Sequence, residues 1–163
     1  MIISVIDNLE GKIEPLSYSD AAKVAELIKQ STQDANRGEY APPDLERLIA
    51  FAKPEKILEE VSKGYLVTLS DDTGGLIGCG MVVRRGSHLV IRAMEVKTNY
   101  GRKGYGSLLY KYCEKRLKEA GMNEIEVEVP KFPKSEMFYR KHGFVKTGNP
   151  TQDGLYFAMF KYF

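Results

Sequence analysis

The sequence is poor in the residues that build metal sites, disulfide frameworks and membrane anchors. Of its 163 residues only two are cysteine and two are histidine. Cys79 and Cys113 lie far apart in apolar contexts, with no CxxC spacing and no histidine cluster nearby. A zinc site therefore has no support, and two buried reduced thiols are expected. No apolar run approaches the roughly 18 residues needed to cross a bilayer. The segment Met1-Ile-Ile-Ser-Val-Ile-Asp7 lacks a positive region and meets an acid before any signal-length apolar run, which predicts a cytoplasmic protein. Asn149 is followed by Pro150, so there is no Asn-x-Ser/Thr acceptor. Charge of one sign is also scarce. The net charge is +2 and the basic residues are scattered among acidic ones. That argues against nucleic acid or an anionic membrane as the main partner.

What remains is an ordinary globular composition, 43% apolar and 28% charged, which suits a single domain over residues 1–163 with one core. No internal repeat, low-complexity tract or linker interrupts it. Residues 2–6 read as a short strand and Lys12–Leu16 as a second candidate. Ser17-Tyr18-Ser19-Asp20 offers N-cap residues to a helix in which Ala21, Val24, Ala25, Leu27 and Ile28 recur at helical spacing. Residues 31–44 read as a loop, followed by short helices to Val61. Tyr65–Leu69, the turn Asp71-Asp72-Thr73-Gly74-Gly75, Leu76–Val83 and Leu89–Val96 predict a three-stranded antiparallel meander. A helix from about Ser107 to Ala120 carries Leu109, Cys113 and Leu117 on one face and stops at Gly121. Ile125, Val127 and Val129 alternate as the next strand. A short helix over Pro133–His142 precedes a strand from Val145 and a last strand in the aromatic tail. Strand, helix and strand between Leu89 and Val129 imply one parallel pair. The fold class expected is therefore α/β: a mixed, mostly antiparallel central sheet with one parallel strand pair, flanked by helices.

The segment Gly101-Arg-Lys-Gly104-Tyr-Gly106 joins a strand to a helix. The first turn of that helix presents unpaired amides and the positive end of its dipole. Glycines at 104 and 106 allow close approach and positive φ, so the loop suits a pyrophosphate, and Arg102 and Lys103 can add charge-assisted contacts. A glycine-rich turn without a ligand has the same spacing. No GxxxxGK[ST] occurs, and Gly78-Cys79-Gly80 fits a bulge or a close backbone approach better than a dinucleotide loop.

Here the sequence resembles the GNAT superfamily of N-acetyltransferases. Its signature Gln/Arg-x-x-Gly-x-Gly/Ala falls on Gly101-Arg-Lys-Gly104-Tyr-Gly106, preceded by Val96-Lys97-Thr98-Asn99-Tyr100. A second signature, an aromatic-Tyr pair shortly before Gly-Phe, falls on Phe138-Tyr139 and Gly143-Phe144. Gly101 stands where the family usually has Gln or Arg, and Phe132 where many members carry asparagine. The resemblance implies a GNAT-type sheet whose parallel pair is splayed, with acetyl-CoA lying between the strands around Val96 and Val129. Met94 and Val96, with the backbone at Glu95, would flank the pantetheine, and Phe132 and Phe138 would border the cofactor. Gly101, Arg102, Lys103, Gly104, Tyr105, Gly106 and Ser107 would hold the pyrophosphate.

The reaction implied is transfer of an acetyl (acyl) group from acetyl-CoA to a primary amine by direct attack in a ternary complex, with CoA as product. Tyr139 is the expected general acid for the departing sulfur, its alternative being simple packing against Phe138. Glu95, directly or through a water chain, is the expected base, because a carboxylate on the inner side of the sheet is costly unless used or paired. An ion pair with Arg92 or Lys97 is its alternative, and Glu126 and Glu128 are weaker candidates for the base. His88 and His142 read as surface residues, and no Ser/His/Asp or Cys/His constellation assembles. The acceptor, a small-molecule amine or a peptide, would meet residues 31–44. There Asp34, Glu39 and Asp44 could attract a cation, and Arg37 or Tyr40 orient it. A competing reading is an acyl-CoA-binding module with little catalysis. The aromatic tail serves either a homodimer or the chain's own core.

Overall fold

The computed structural model describes residues 1–151 and 153–163. Seven strands form one sheet: β1 (Ile2–Asp7), β2 (Tyr65–Ser70), β3 (Leu76–Arg85), β4 (His88–Val96), β5 (Glu124–Pro130), β6 (Val145–Pro150) and β7 (Tyr156–Tyr162). Five helices flank it: α1 (Tyr18–Ala35), α2 (Pro42–Leu48), α3 (Pro54–Val61), α4 (Tyr105–Glu119) and α5 (Pro133–Lys141). The spatial order is β1-β2-β3-β4-β5-β7-β6. Every neighbouring pair is antiparallel except β4 and β5, which run parallel as the strand–helix–strand reading requires.

Two sequence expectations are corrected. Lys12–Leu16 forms no strand. The Asn8 side chain accepts from the Glu14 amide and donates to the carbonyls of Glu14 and Val61, holding this stretch as a loop. Residues 31–35 and 42–44 are helical, because α2 begins at Pro42 and α1 runs on to Ala35. Thr32, buried at this end, turns its hydroxyl back onto the Ile28 carbonyl, so a polar stretch still closes a helical turn.

The sheet has a core on each face. Leu109, Tyr110, Cys113 and Leu117 of α4 pack with Val67, Ile91, Val127 and Met159 on one side. Ala21, Val24, Ala25 and Ile28 of α1 pack with Ile57, Leu66, Cys79 and Ala93 on the other. Both cysteines are thus buried free thiols, as expected, and burial pushes that of Cys113 up to about 12. The aromatic tail inserts as β7 between β5 and β6 and buries Tyr156 and Met159.

Close approach of α4 depends on two glycines of β3. A Cβ at Gly80 would lie 3.0 Å from Cys113 Sγ, 3.1 Å from Val67 Cγ1 and 3.2 Å from Met94 Cε. One at Gly78 would lie 2.8 Å from the Glu95 carbonyl oxygen and 3.0 Å from Leu109 Cδ1. The Gly78-Cys79-Gly80 stretch is therefore a seat for a helix, consistent with the close-approach reading. Gly80→Val should overpack this seat and cost about 1–3 kcal/mol. Urea unfolding would show it as a lowered midpoint at unchanged slope; an unchanged midpoint would mean that α4 is not seated as described.

Candidate active site

The site is built where β4 leaves β5. Their register comprises only Val90↔Glu126 and Ile91↔Val127. On its other edge β4 pairs with β3, where Met81 faces Ala93 and Val82 faces Ile91, leaving Arg92 as an extra, bulged residue. A bulge bends its strand and sharpens the twist. Beyond Arg92, β4 has no strand partner on its β5 side, which leaves the hydrogen bonding of the sheet open there.

Alternation along β4 then assigns faces. Met94 and Val96 belong with the α4 core, whereas Ala93 belongs with the α1 core. Glu95, between Met94 and Val96, therefore projects toward α1, beside its cross-strand partner Cys79. Its carboxyl is pushed up to about 8 by burial, with only the Arg92 charge pulling it back. The alternative ion pair does not form. Arg92 instead engages Glu128 at 3.4 Å and the Tyr156 hydroxyl at 3.0 Å, and lies over the Phe51 ring at 3.8 Å. Glu128 is thus occupied, and Glu126 sits where the strands still touch, so neither competes with Glu95 for that open edge.

Tyr139, on α5, is buried with the α4 core. Its ring meets Phe138 edge-on at 5.1 Å and Phe144 at 5.4 Å. Packing against Phe138 is therefore real, and it orients the phenol. Burial, and secondarily the charge of Glu95, push the Tyr139 hydroxyl well above its ordinary range.

The glycine loop lies at the end of the same strand. A short 3-10 turn, Thr98–Tyr100, leads into Gly101, and Gly104 caps α4 in the left-handed conformation at φ 82°. Arg102 is also left-handed, at φ 61°, the one non-glycine so placed among the described residues. Such backbone strain is maintained where a loop is shaped for a ligand. No side chain caps α4, and among the described residues the amides of residues 102–107 meet no backbone acceptor. Six consecutive free amides on a helix N-terminus form a nest suited to a diphosphate. Phe138 closes its inner wall: a Cβ at Gly106 would lie 3.2 Å from Phe138 Cε2.

Met94, Glu95 and Val96 thus lie on β4 past the end of its ladder with β5, residues 101–107 follow at the start of α4, and Phe138 and Tyr139 pack against the same core. Phe132 is elsewhere, buried in a third cluster with Tyr40, Leu48, Leu155 and Tyr156. Tyr40 is corrected from a substrate-orienting residue to a structural one. Its hydroxyl donates to the Leu155 carbonyl and accepts from the Lys131 amide, tying three segments together. Asp44 pairs with Arg47 on the surface. Asp34 accepts from Gln30 and Thr98 and lines a cavity of about 650 Å³ between α1, the β2–β3 turn and Lys97–Asn99. His88 is exposed, but His142 is not the surface residue expected. It is half-buried between the Tyr110 and Phe138 rings, with Nε2 3.0 Å from Ser107 Oγ. The signal was present in the spacing, because residues 138 and 142 share a helix face.

A sheet opened at a bulged parallel strand, with an amide nest at its end, defines an acyl-CoA-dependent acyltransferase fold. Residues 28–161 match the family model described as "Acetyltransferase (GNAT) domain", and the chain belongs to that family. Acetyl-CoA is accordingly its cofactor. Among solved structures, PaiA N-acetyltransferase from Thermoplasma acidophilum, in complex with coenzyme A, superposes with a TM-score of 0.79 at 23% identity over 100% of both chains. A GCN5-related N-acetyltransferase from Rhodopseudomonas palustris gives 0.74 at 20% identity, over 100% of this chain and 99% of that one. An aminoglycoside 6'-N-acetyltransferase complexed with coenzyme A gives 0.68 at 16%, over 99% and 97%. These likenesses are of fold. No curated protein matches the sequence. Among the described residues no helix is long and apolar enough to cross a membrane.

The raised Glu95 pKa has a consequence for stability. Below about pH 4.5 the carboxyl is protonated in folded and unfolded chains alike and costs nothing. Between 4.5 and about 8 the unfolded chain ionises first, so the folded state binds more protons and stability falls as pH rises. Glu95→Gln should therefore be more stable than the parent at pH 8.5, by about 4–5 kcal/mol. The difference should vanish near pH 4. Paired urea titrations at the two pH values check this, and equal stability at both would place Glu95 in a wetter setting.

Proposed function

We propose that this acetyltransferase transfers an acetyl group from acetyl-CoA to a primary amine by direct attack within a ternary complex. What supports this reading is the family match together with Glu95, buried and without an ion pair on β4 past the end of its ladder with β5, and Tyr139, buried on α5. When bound, acetyl-CoA supplies the acetyl group as a thioester. The amides of residues 102–107 would hold the diphosphate, with Arg102 and Lys103 adding charge. The edge of β4 left open past Ile91 offers backbone donors and acceptors to the amides of the pantetheine arm.

An amine acceptor is normally protonated at neutral pH, so a base must first remove a proton. Glu95, with its pKa of about 8, is basic enough to accept that proton and faces the α1 side, opposite Tyr139. Tyr139, its pKa raised by burial, keeps its proton at any physiological pH and can donate it to a departing sulfur. Holding the two reactants together supplies the remainder, and no covalent enzyme intermediate is needed.

The α1 side is therefore where the acceptor enters. The cavity beside Asp34 offers it a carboxylate already fixed by Gln30 and Thr98. A small-molecule amine fits a concavity of this kind better than an extended peptide does.

The first test is thermal unfolding with acetyl-CoA, CoA, NAD and ATP in parallel. At about 100 times its dissociation constant a ligand stabilises by roughly 2.7 kcal/mol, a rise of about 5–10 °C for a domain of this size. A rise with the CoA ligands alone is expected, and none with either would remove the reading. An amine screen by thiol release then identifies acceptors. With an acceptor in hand, Tyr139→Phe should lower kcat by about 10²-fold or more, at little change in the KM for acetyl-CoA. In the parent, kcat/KM should rise with pH up to about 8 as Glu95 ionises, and Glu95→Gln should lose that limb. Gly104→Val, forcing a branched side chain to φ 82°, should weaken CoA binding at least about tenfold. CoA affinity unchanged in that variant would take the loop out of the site.

A further inference from the structure

Outside the groups used above, one half-buried histidine touches the site indirectly. His142 ends α5, its amide reaching back to the carbonyls of Phe138 and Tyr139. Its ring is gripped by Tyr110 at 4.4 Å and Phe138 at 4.7 Å, so its direction is set by packing. That direction brings Nε2 within 3.0 Å of the Ser107 hydroxyl in the first turn of α4. The charged groups around it are Lys161 on β7, Lys141 on α5, and Lys111 and Glu114 on α4.

We infer that His142 is a positioning residue for the cofactor: by donating from Nε2 to Ser107 Oγ, it turns the serine proton outward to a diphosphate oxygen. The inference rests on the reading that the loop at 102–107 holds the diphosphate.

The chemistry follows from donor counting. A serine hydroxyl has one proton. If Nε2 carried no hydrogen it would accept that proton, and Ser107 would offer only lone pairs to an anion, which repel it. With hydrogen on Nε2, either in the neutral tautomer or in the imidazolium, the serine proton is released for phosphate. An anion at Ser107 therefore selects the Nε2–H forms and favours the imidazolium above all. Before a ligand arrives, burial foremost, followed by the charges of Lys161 and Lys141, holds the imidazole below its ordinary range, with Glu114 opposing. Cofactor binding is then coupled to proton uptake at His142, and affinity rises as pH falls from 8 toward 6.

The test is calorimetric titration of the full chain with CoA, comparing the parent with Ser107→Ala, His142→Ala, His142→Gln and the Ser107→Ala/His142→Ala double variant. Binding of CoA by the parent is the control on the underlying reading; if the parent does not bind, that reading falls and this inference with it. With binding established, His142→Ala and Ser107→Ala should each weaken CoA about tenfold, the scale of one charge-assisted hydrogen bond. The double variant should be no weaker than Ser107→Ala alone, because both changes remove one interaction. His142→Gln, which keeps an N–H donor near the Nε2 position, should recover most of the affinity. A packing role would leave it as weak as His142→Ala.

Dephospho-CoA gives the pH arm, since its diphosphate does not itself titrate between pH 6 and 8. The parent should bind it more tightly at pH 6 than at pH 8, and His142→Gln should show no such slope. Additive losses in the double variant, full affinity in His142→Ala, or a parent slope that survives in His142→Gln would each overturn the inference while leaving the acetyl-CoA site intact.

Discussion

β4 and β5 run side by side but are bonded over only two residue pairs, and the rest of the site depends on that separation. Backbone groups left without partners inside a protein are costly, so an interrupted parallel pair has to be held open. The Arg92 bulge turns β4 away, and the same side chain spans the parting strands to Glu128 on β5. Its guanidinium is sandwiched against Phe51 and Tyr156, so the ion pair is anchored by packing as well as by charge. Arg92 is nine-tenths buried along its side chain, which is tolerable only because carboxylate, hydroxyl and ring faces all meet it. One residue thus makes the opening and braces it.

The second constraint is the closeness of α4 to the sheet. Gly78 and Gly80 let the helix settle onto β3, and Gly106 lets Phe138 come against its first turn. The consequence is electrostatic. An uncapped helix N-terminus, with six free amides, lands at the end of the strand that has just parted from its neighbour. The free edge of β4 and the free amides at the start of α4 are thereby adjacent in the fold.

Away from the opening, in the Tyr40–Phe132–Tyr156 cluster, buried hydroxyls fasten the α1–α2 segment and α2 to the residue after β5 and to the start of β7. Residues from the N-terminal half are thereby brought against the C-terminal half. The cluster's hydrogen bonds join parts of the chain more than 100 residues apart.

Much of this was readable in one dimension. Apolar periodicity located α1, α4 and the meander, and the pair Gly104 and Gly106 before an apolar helix marked the loop of free amides, because φ and amide exposure are local properties. The Phe138-Tyr139 and Gly143-Phe144 spacing likewise marked α5. Misreadings came where polar residues obeyed tertiary demands: residues 31–35 continued a helix, Lys12–Leu16 was drawn into a loop by Asn8, and Tyr40 became a clamp. His142 looked like one more polar residue at a helix end, and only its neighbours gave it a partner. The sequence by itself determined the order of elements, the parallel step and the chemistry available. Only the tertiary structure decided which carboxylate is buried and unpaired, that Arg92 is a bulge committed to Glu128, and that Ser107 faces an imidazole. Burial and pairing depend on contacts between distant residues, and local pattern does not encode those.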